Sequence, residues 1–308
     1  MEAGQHLKDP MRAYFFAGLA ILFWSTAASA FKVTLEYIDF MQIVFVATLT
    51  SCLALFLVIL LQGNFYLLRG ATRNELIRSA FLGLLNPFLY YVVLLKAYSL
   101  LPAQVAQPLN FTWPIMLVIL SVPLLNQKIP LLSIGTMLIS FAGVYLISSQ
   151  GAPFDFNLTN PFGVALALGS SVLWALFWIY NVMDRRNEVI KLFFCFLFAS
   201  FYIGVVMIFW PGSRVFNFYG ILGGIYIGLF EMGFTFVFWL KALQYAASSD
   251  KVSNLIYVTP FLSLLLIHVL VREEIFLTTF GGLVLIVAGI LLQKFLLTDT
   301  PKKVKNSE

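Results

Sequence analysis

Ten times along this chain a run of about 20 apolar residues ends in a short polar interruption, and that recurrence limits the fold more than any single residue does. The runs cover roughly 13–34, 39–62, 77–98, 102–124, 130–149, 160–182, 189–210, 218–243, 250–270 and 276–296. Their apolar faces are continuous and lack the alternation of a β-barrel, so each is expected to be a membrane-crossing helix. Composition agrees: 61% of the 308 residues are hydrophobic, 11% are charged, and mean hydropathy is +0.92. One water-facing core could not hide that much apolar surface, so lipid serves as solvent. The expected fold is an all-α integral membrane protein of ten transmembrane helices, with polar tails at 1–10 and 299–308 expected to be disordered. The basic leader and Ala28-Ser29-Ala30 resemble a signal-peptide cleavage site. We read the first run as retained, because the repeat described below needs it.

Basic residues orient the chain. With a cytoplasmic N-terminus, only Lys32, Lys96, Arg214 and Arg272 of the 19 Lys and Arg fall outside. Both termini are therefore expected on the cytoplasmic side of the inner (cytoplasmic) membrane. The net charge of +5 is spread over short loops and does not point to nucleic acid. Cys52 and Cys195 lie inside apolar runs and suggest neither a disulfide nor a metal site. Asn157-Leu158-Thr159 is a glycosylation sequon on the expected outer side, without meaning in a bacterium.

The sequence also repeats itself. Gly83, Leu84, Asn86, Leu95, Lys96 and Ala97 align with Gly228, Leu229, Glu231, Leu240, Lys241 and Ala242 at an offset of 145. Pro114, Ile129, Gly135, Gly143 and Leu146 align with Pro260, Ile275, Gly281, Gly289 and Leu292 at 146, and Trp24 pairs more loosely with Trp174. Residues 13–149 and 160–296 thus read as two five-helix repeats. An odd number of crossings per repeat inverts one against the other. Inverted repeats typify secondary transporters, which bind substrate near the midplane between halves that rock around it; a duplicated bundle with no transport role is the alternative.

These positions carry a family resemblance. Residues 95–103 (Leu-Lys-Ala-Tyr-Ser-Leu-Leu-Pro-Ala), Gln107-Pro108-Leu109, Pro114, Gln127-Lys128, Gly135 and Gly143 resemble the EamA type of the drug/metabolite transporter superfamily. The second half repeats the pattern as Leu240-Lys241-Ala242-Leu243, Pro260, Arg272-Glu273-Glu274, Gly281 and Gly289. The resemblance covers about 13–296 and implies movement of small metabolites, often outward, by alternating access. Family members usually carry a Glu after the fourth and ninth spans; Glu273 fits, whereas Gln127 departs from the pattern.

Glu231 is the least expected residue. A charge at mid-bilayer costs ~2.5–3.5 kcal/mol, so it is expected to face a cavity, where it would couple or gate transport; a protonated Glu hydrogen-bonded between helices is the plainer reading. Other polar or aromatic residues fall at helical spacing: Asn86 and Tyr90; Gln107, Asn110 and Trp113; Ser170, Trp174, Trp178 and Asn181; Ser253, Asn254 and Tyr257. With Trp24 they form the candidate substrate cavity, expected among spans one, three, four, six, eight and nine. Aromatic walls suit a flat or amphipathic ligand and stack on cations; helix packing and interfacial placement are the alternative for any one of them. Pro87, Pro114 and Pro260 are candidate hinges, and Pro108 also removes a backbone donor. Gly220, Gly224 and Gly228, and the pairs Gly135/Gly143 and Gly281/Gly289, are expected at close helix contacts.

No nucleophile–His pair, metal cluster or phosphate loop occurs; His6 lies in a tail and His268 near a membrane edge. The chain is read as no enzyme, with no cofactor or metal. Its expected partners are lipid and a small amphipathic metabolite, amino acids included, with proton coupling open. A small-solute channel or facilitator with a polar pore is the rival function.

Overall fold

The computed structural model describes residues 9–125, 131–153, 160–184, 186–212, 215–246, 252 and 255–298. Among them no strand occurs. Ten apolar helical stretches follow the ten runs. They are α1 (Pro10–Leu35), α2 (Phe40–Leu61), α3 (Arg73–Leu100), α4 (Ala103–Leu125), α5 (Leu131–Ser148), α6 (Pro161–Val182), α7 (Glu188–Phe209), α8 (Phe218–Tyr245), α9 (Leu255–Val271) and α10 (Leu277–Thr298). Eight of them are long and apolar enough to cross a membrane; within α5 and in α9 the described apolar stretches are shorter.

Local chemistry sets the helix starts. Asp9, Asp39, Thr72, Asn160, Asn187 and Asn217 each accept backbone N–H groups of the first turn, with full capping boxes at Asp39/Gln42 and Thr72/Glu75. Asp9 and Pro10 thereby belong to α1 rather than to a tail: the Asp9 N–H also donates to the Tyr245 carbonyl at 3.0 Å. Residues 1–8 and 299–308, Asn157 and Gln127 lie outside the described residues.

Four helices are broken in mid-course. In α3, Asn86 is extended (φ −150°, ψ 125°) just before Pro87. In α8 the regular helix is interrupted over Gly228–Gly233, where Gly233 takes φ −93°, ψ −91°. The α4 helix breaks at Phe111–Thr112, ahead of Pro114, and Pro260 opens the regular part of α9 after a tighter turn at Leu255–Val258. Each candidate hinge proline sits at a break, where its missing N–H and fixed φ cost least.

Packing is mostly between residues before and after position 150. The most extensive contacts pair α5 with α10, α1 with α8 and α9, α2 with α8 and α7, α3 with α6 and α7, and α4 with α6. Glycines make the closest approaches. A Cβ on Gly220 or Gly224 would press on Ile38 or Val46, and one on Gly228 would stand 2.5 Å from the Ala47 carbonyl oxygen. Gly143 meets Gly282 and Ile286, and Gly289 meets Thr136 and Ser140. Gly135 and Gly281 do not share this role, for nothing lies within 4 Å of a Cβ at either. The α5–α10 contact runs through Gly282, one residue round the helix from Gly281.

Candidate functional site

Between α1, α3, α4, α6, α8 and α9 lies a cavity of about 510 Å³. Its lining brings together Trp24, Tyr90, Gln107, Asn110, Trp113, Trp174, Trp178, Glu231 and Tyr257. Three expected members lie off the lining. Asn86 is buried off the lining, its Oδ1 without a partner, because the extended backbone breaks the i, i+4 relation to Tyr90. Asn181 is buried too, and its carbonyl accepts the Lys191 ammonium at 3.2 Å, toward the end where α6 meets α7. Ser170 stands behind Asn110, accepting its amide N–H at 2.8 Å. Ser253 and Asn254 lie outside the described residues.

Glu231 sits in the break of α8 and is 8% exposed. Its Oε1 accepts the Tyr91 hydroxyl at 3.2 Å, while Oε2 has no partner. The same break frees the Glu231 carbonyl, which accepts the Trp24 indole N–H at 3.3 Å. Aromatic rings build the walls: Tyr90 lies 4.7 Å from Trp174, Trp174 lies 5.9 Å from Trp178, and Trp24 lies 5.5 Å from Trp239. Tyr90 donates to Asn110 Oδ1 at 3.3 Å, which fixes the ring's edge. Sequence reasoning missed Tyr91, Tyr98, Trp239, Phe31 and Thr259. A signal for some was present: Tyr90, Leu94 and Tyr98 follow at four-residue steps, as do Trp24, Ala28 and, three residues on, Phe31.

The two ends of the cavity differ. At one end the lining reaches Leu125 and Met183, both exposed. At the other, Phe31 and Tyr98 meet edge to face at 5.2 Å and are almost fully buried. Beyond them the start of α4 is held by the loop after α9. Glu273 accepts the Ala103 and Gln104 N–H groups at 2.8 and 3.0 Å, satisfying donors that a helix start leaves open. Gln104 answers by donating to the Glu274 carbonyl at 2.7 Å and accepting the Phe276 N–H at 2.8 Å. Lys32 seals the same end, its ammonium donating to the carbonyls of Tyr98 and Leu101.

The opposite end carries an ionic knot. Arg186 grips Asp184 with bonds of 3.0 and 2.6 Å and also donates to Ser79 Oγ, and Arg78 donates to the Tyr180 carbonyl. Burial opposes the Asp184 charge, but Arg186 and Arg78 outweigh it and hold the carboxyl below its ordinary range.

A cavity of this size within a bundle of membrane-crossing helices defines a multi-pass membrane protein that handles a small molecule. The sequence pattern of the EamA-like transporter family matches residues 11–149 and again 161–293. A transporter of Archaeoglobus fulgidus, described as uncharacterized, is 24% identical over 91% of this chain and 98% of its own. The transporter YvbV of Bacillus subtilis, likewise uncharacterized, is 26% identical over 68% of each chain. A protein solved by crystallography shares the fold, with a TM-score of 0.64 at 23% identity over 92% of this chain and 98% of that one. The chain belongs to the EamA-like transporter family. It is a membrane transport protein and not an enzyme, with a small-molecule substrate and the lipid bilayer as its surroundings.

Proposed function

We propose that the protein is a secondary carrier whose two five-helix halves, 13–149 and 160–296, are inverted repeats that alternately expose the central cavity to the two sides of the membrane. One observation carries this: the cavity is walled by both halves, reaches exposed residues at one end and is sealed at the other. Three further features support it. The family pattern matches twice, α3 and α8 break at aligned positions, and exchanging each helix with its counterpart five later turns the pairing of helices into itself. The excess of Lys and Arg favours cytoplasmic termini in the inner membrane, which makes the end bearing Leu125 and Met183 cytoplasmic and the conformation inward-open. Cysteines placed at Gln5 and Asn157 check this: an impermeant thiol reagent applied to intact cells should reach position 157 and not position 5.

In this reading Glu231 binds or releases a cation, a proton included, as the cavity changes sides. The described titratable groups that face it are Tyr91, which bonds it, Tyr90, whose ring lies 4.7 Å from that of Tyr91, and Tyr98. The substrate is a small amphipathic metabolite taken up against the aromatic walls. A thermal-shift screen against amino acids, nucleosides, polyamines and cofactors should give a hit. Proteoliposome flux of that hit should saturate and accelerate with the same compound on the far side. Currents that rise ohmically without saturation would refute a carrier and establish a channel. Glu231→Gln should fold but lose pH dependence of flux or affinity for a cationic group; unchanged flux, pH profile and affinity would reduce Glu231 to a structural hydrogen-bonder.

A further inference from the structure

The charge inventory of the cavity is one-sided. Among the described residues of its lining, Glu231 is the only Asp, Glu, Lys, Arg or His. The nearest seal contains Lys32, but both of its contacts are with backbone carbonyls, and it does not line the space. The buried polar atoms without partners tell the same story. Glu231 Oε2 and Gln107 Oε1 are acceptors awaiting a donor, and Thr259 Oγ1 can serve either way. A buried acceptor left unmet is costly, so a ligand that fits this space brings N–H groups to it.

The walls favour the same chemistry. Trp24, Trp113, Trp174, Trp178 and Trp239 line the cavity, five of the chain's six tryptophans. Indole presents the strongest ring face for a cation, and the attraction grows as water is excluded. Among the described residues a carboxylate would find no guanidinium or ammonium here, only neutral indole and amide N–H and hydroxyl donors, and its charge would oppose that of Glu231.

We propose that the cavity selects an organic cation, a protonated amine with an apolar body and no carboxylate, its N–H groups on Glu231 and Gln107 and its apolar part between the tryptophans. This rests on the cavity being the substrate site and narrows the metabolite from amphipathic molecules in general, amino acids among them, to amines. Exclusion follows from the missing base as much as attraction follows from Glu231.

The test uses four probes that share a phenyl ring and differ in charge: phenethylamine, 2-phenylethanol, phenylalanine and 3-phenylpropionate. Binding to the purified full-length protein in detergent is read from tryptophan fluorescence and from the thermal midpoint. Phenethylamine should bind at least tenfold more tightly than 2-phenylethanol, and the two carboxylates should bind more weakly than either. In Glu231→Gln the amine should fall to the affinity of the alcohol, while Glu231→Asp should keep part of the preference. If neither variant folds, the order of the four probes on the unaltered protein still decides. Tighter binding of phenylalanine than of phenethylamine, no binding of any probe, or an amine preference that survives Glu231→Gln overturns the proposal. Because binding is measured without flux, an amine that binds but does not move would sink the carrier reading and leave this one. Saturable flux of a zwitterion would do the reverse.

Discussion

Removing Glu273 should open the sealed end of the cavity in the carrier proposed above. Its carboxylate holds two backbone N–H groups of α4 at 2.8 and 3.0 Å from the far side of the chain, so a carrier that opens at this end gives up both bonds. Loss of an N-terminal cap costs ~0.5–2 kcal/mol, and a charged acceptor belongs near the top of that range. Taking ~2 kcal/mol, Glu273→Ala should raise the ratio of open to closed forms at this end about 30-fold, since ~1.4 kcal/mol is tenfold. An open form held at about 1% would reach about 23%, a change that pulsed dipolar spectroscopy resolves. Spin labels at Ser99 and Leu277, both exposed, report the separation, and the native Cys52 and Cys195 are buried. Glu273→Gln keeps an acceptor without the charge and should fall between. A folded Glu273→Ala protein with an unchanged distance distribution would show that the contact fastens a loop and does not hold a gate.

Other perturbations test other parts. Trp174→Ala or Trp178→Ala should weaken substrate binding severalfold, while Phe201→Ala and Phe209→Ala, at 66% and 80% exposure, should leave it unchanged; equal effects would remove the case for the cavity. Gly228→Ala should cost about 1–3 kcal/mol of stability by forcing a methyl group onto the Ala47 carbonyl and Thr50, visible as a lower melting temperature in detergent. Asp184→Asn should cost about 2 kcal/mol at pH 7 by leaving Arg186 without its anion. Since the folded carboxyl titrates below its unfolded value of about 3.9, that contribution is complete above it and fades as pH falls through the folded value. A gap between the two proteins that does not narrow as pH falls below the unfolded value would contradict it.

The helices were legible because each apolar run must satisfy its own backbone in lipid, and six of them start at Asp, Asn or Thr caps that the sequence displays. Glu231 and the tryptophan stripe on α6 were legible for a related reason: polar and aromatic residues at helical spacing betray a shared face. Asn86 was not, since its placement assumed an unbroken helix and Pro87 marks where that assumption fails. Tyr91 escaped notice because it stands one residue round from Tyr90, and only the altered turn of α3 lets both rings approach the Glu231 region. Glu273 was conspicuous, but its partners are backbone N–H groups, which no side-chain pattern records. The Gly281 reading failed by a single residue, the difference between a helix's contact face and its open flank.

Because α5 packs chiefly on α10 and α2 on α8 and α7, neither half owns a core during synthesis. The α5 helix enters the membrane with its glycine groove empty and waits while some 146 further residues are made before Gly282 and Gly289 arrive to fill it. At ~5–20 residues per second that interval is roughly 7–30 s. Throughout it Thr136 and Ser140 face lipid or an insertion factor instead of Gln293 and Ile286. Biogenesis therefore has one late, committing step, the docking of α10, and a chain truncated before Leu277 would be left with an open seam for quality control to find.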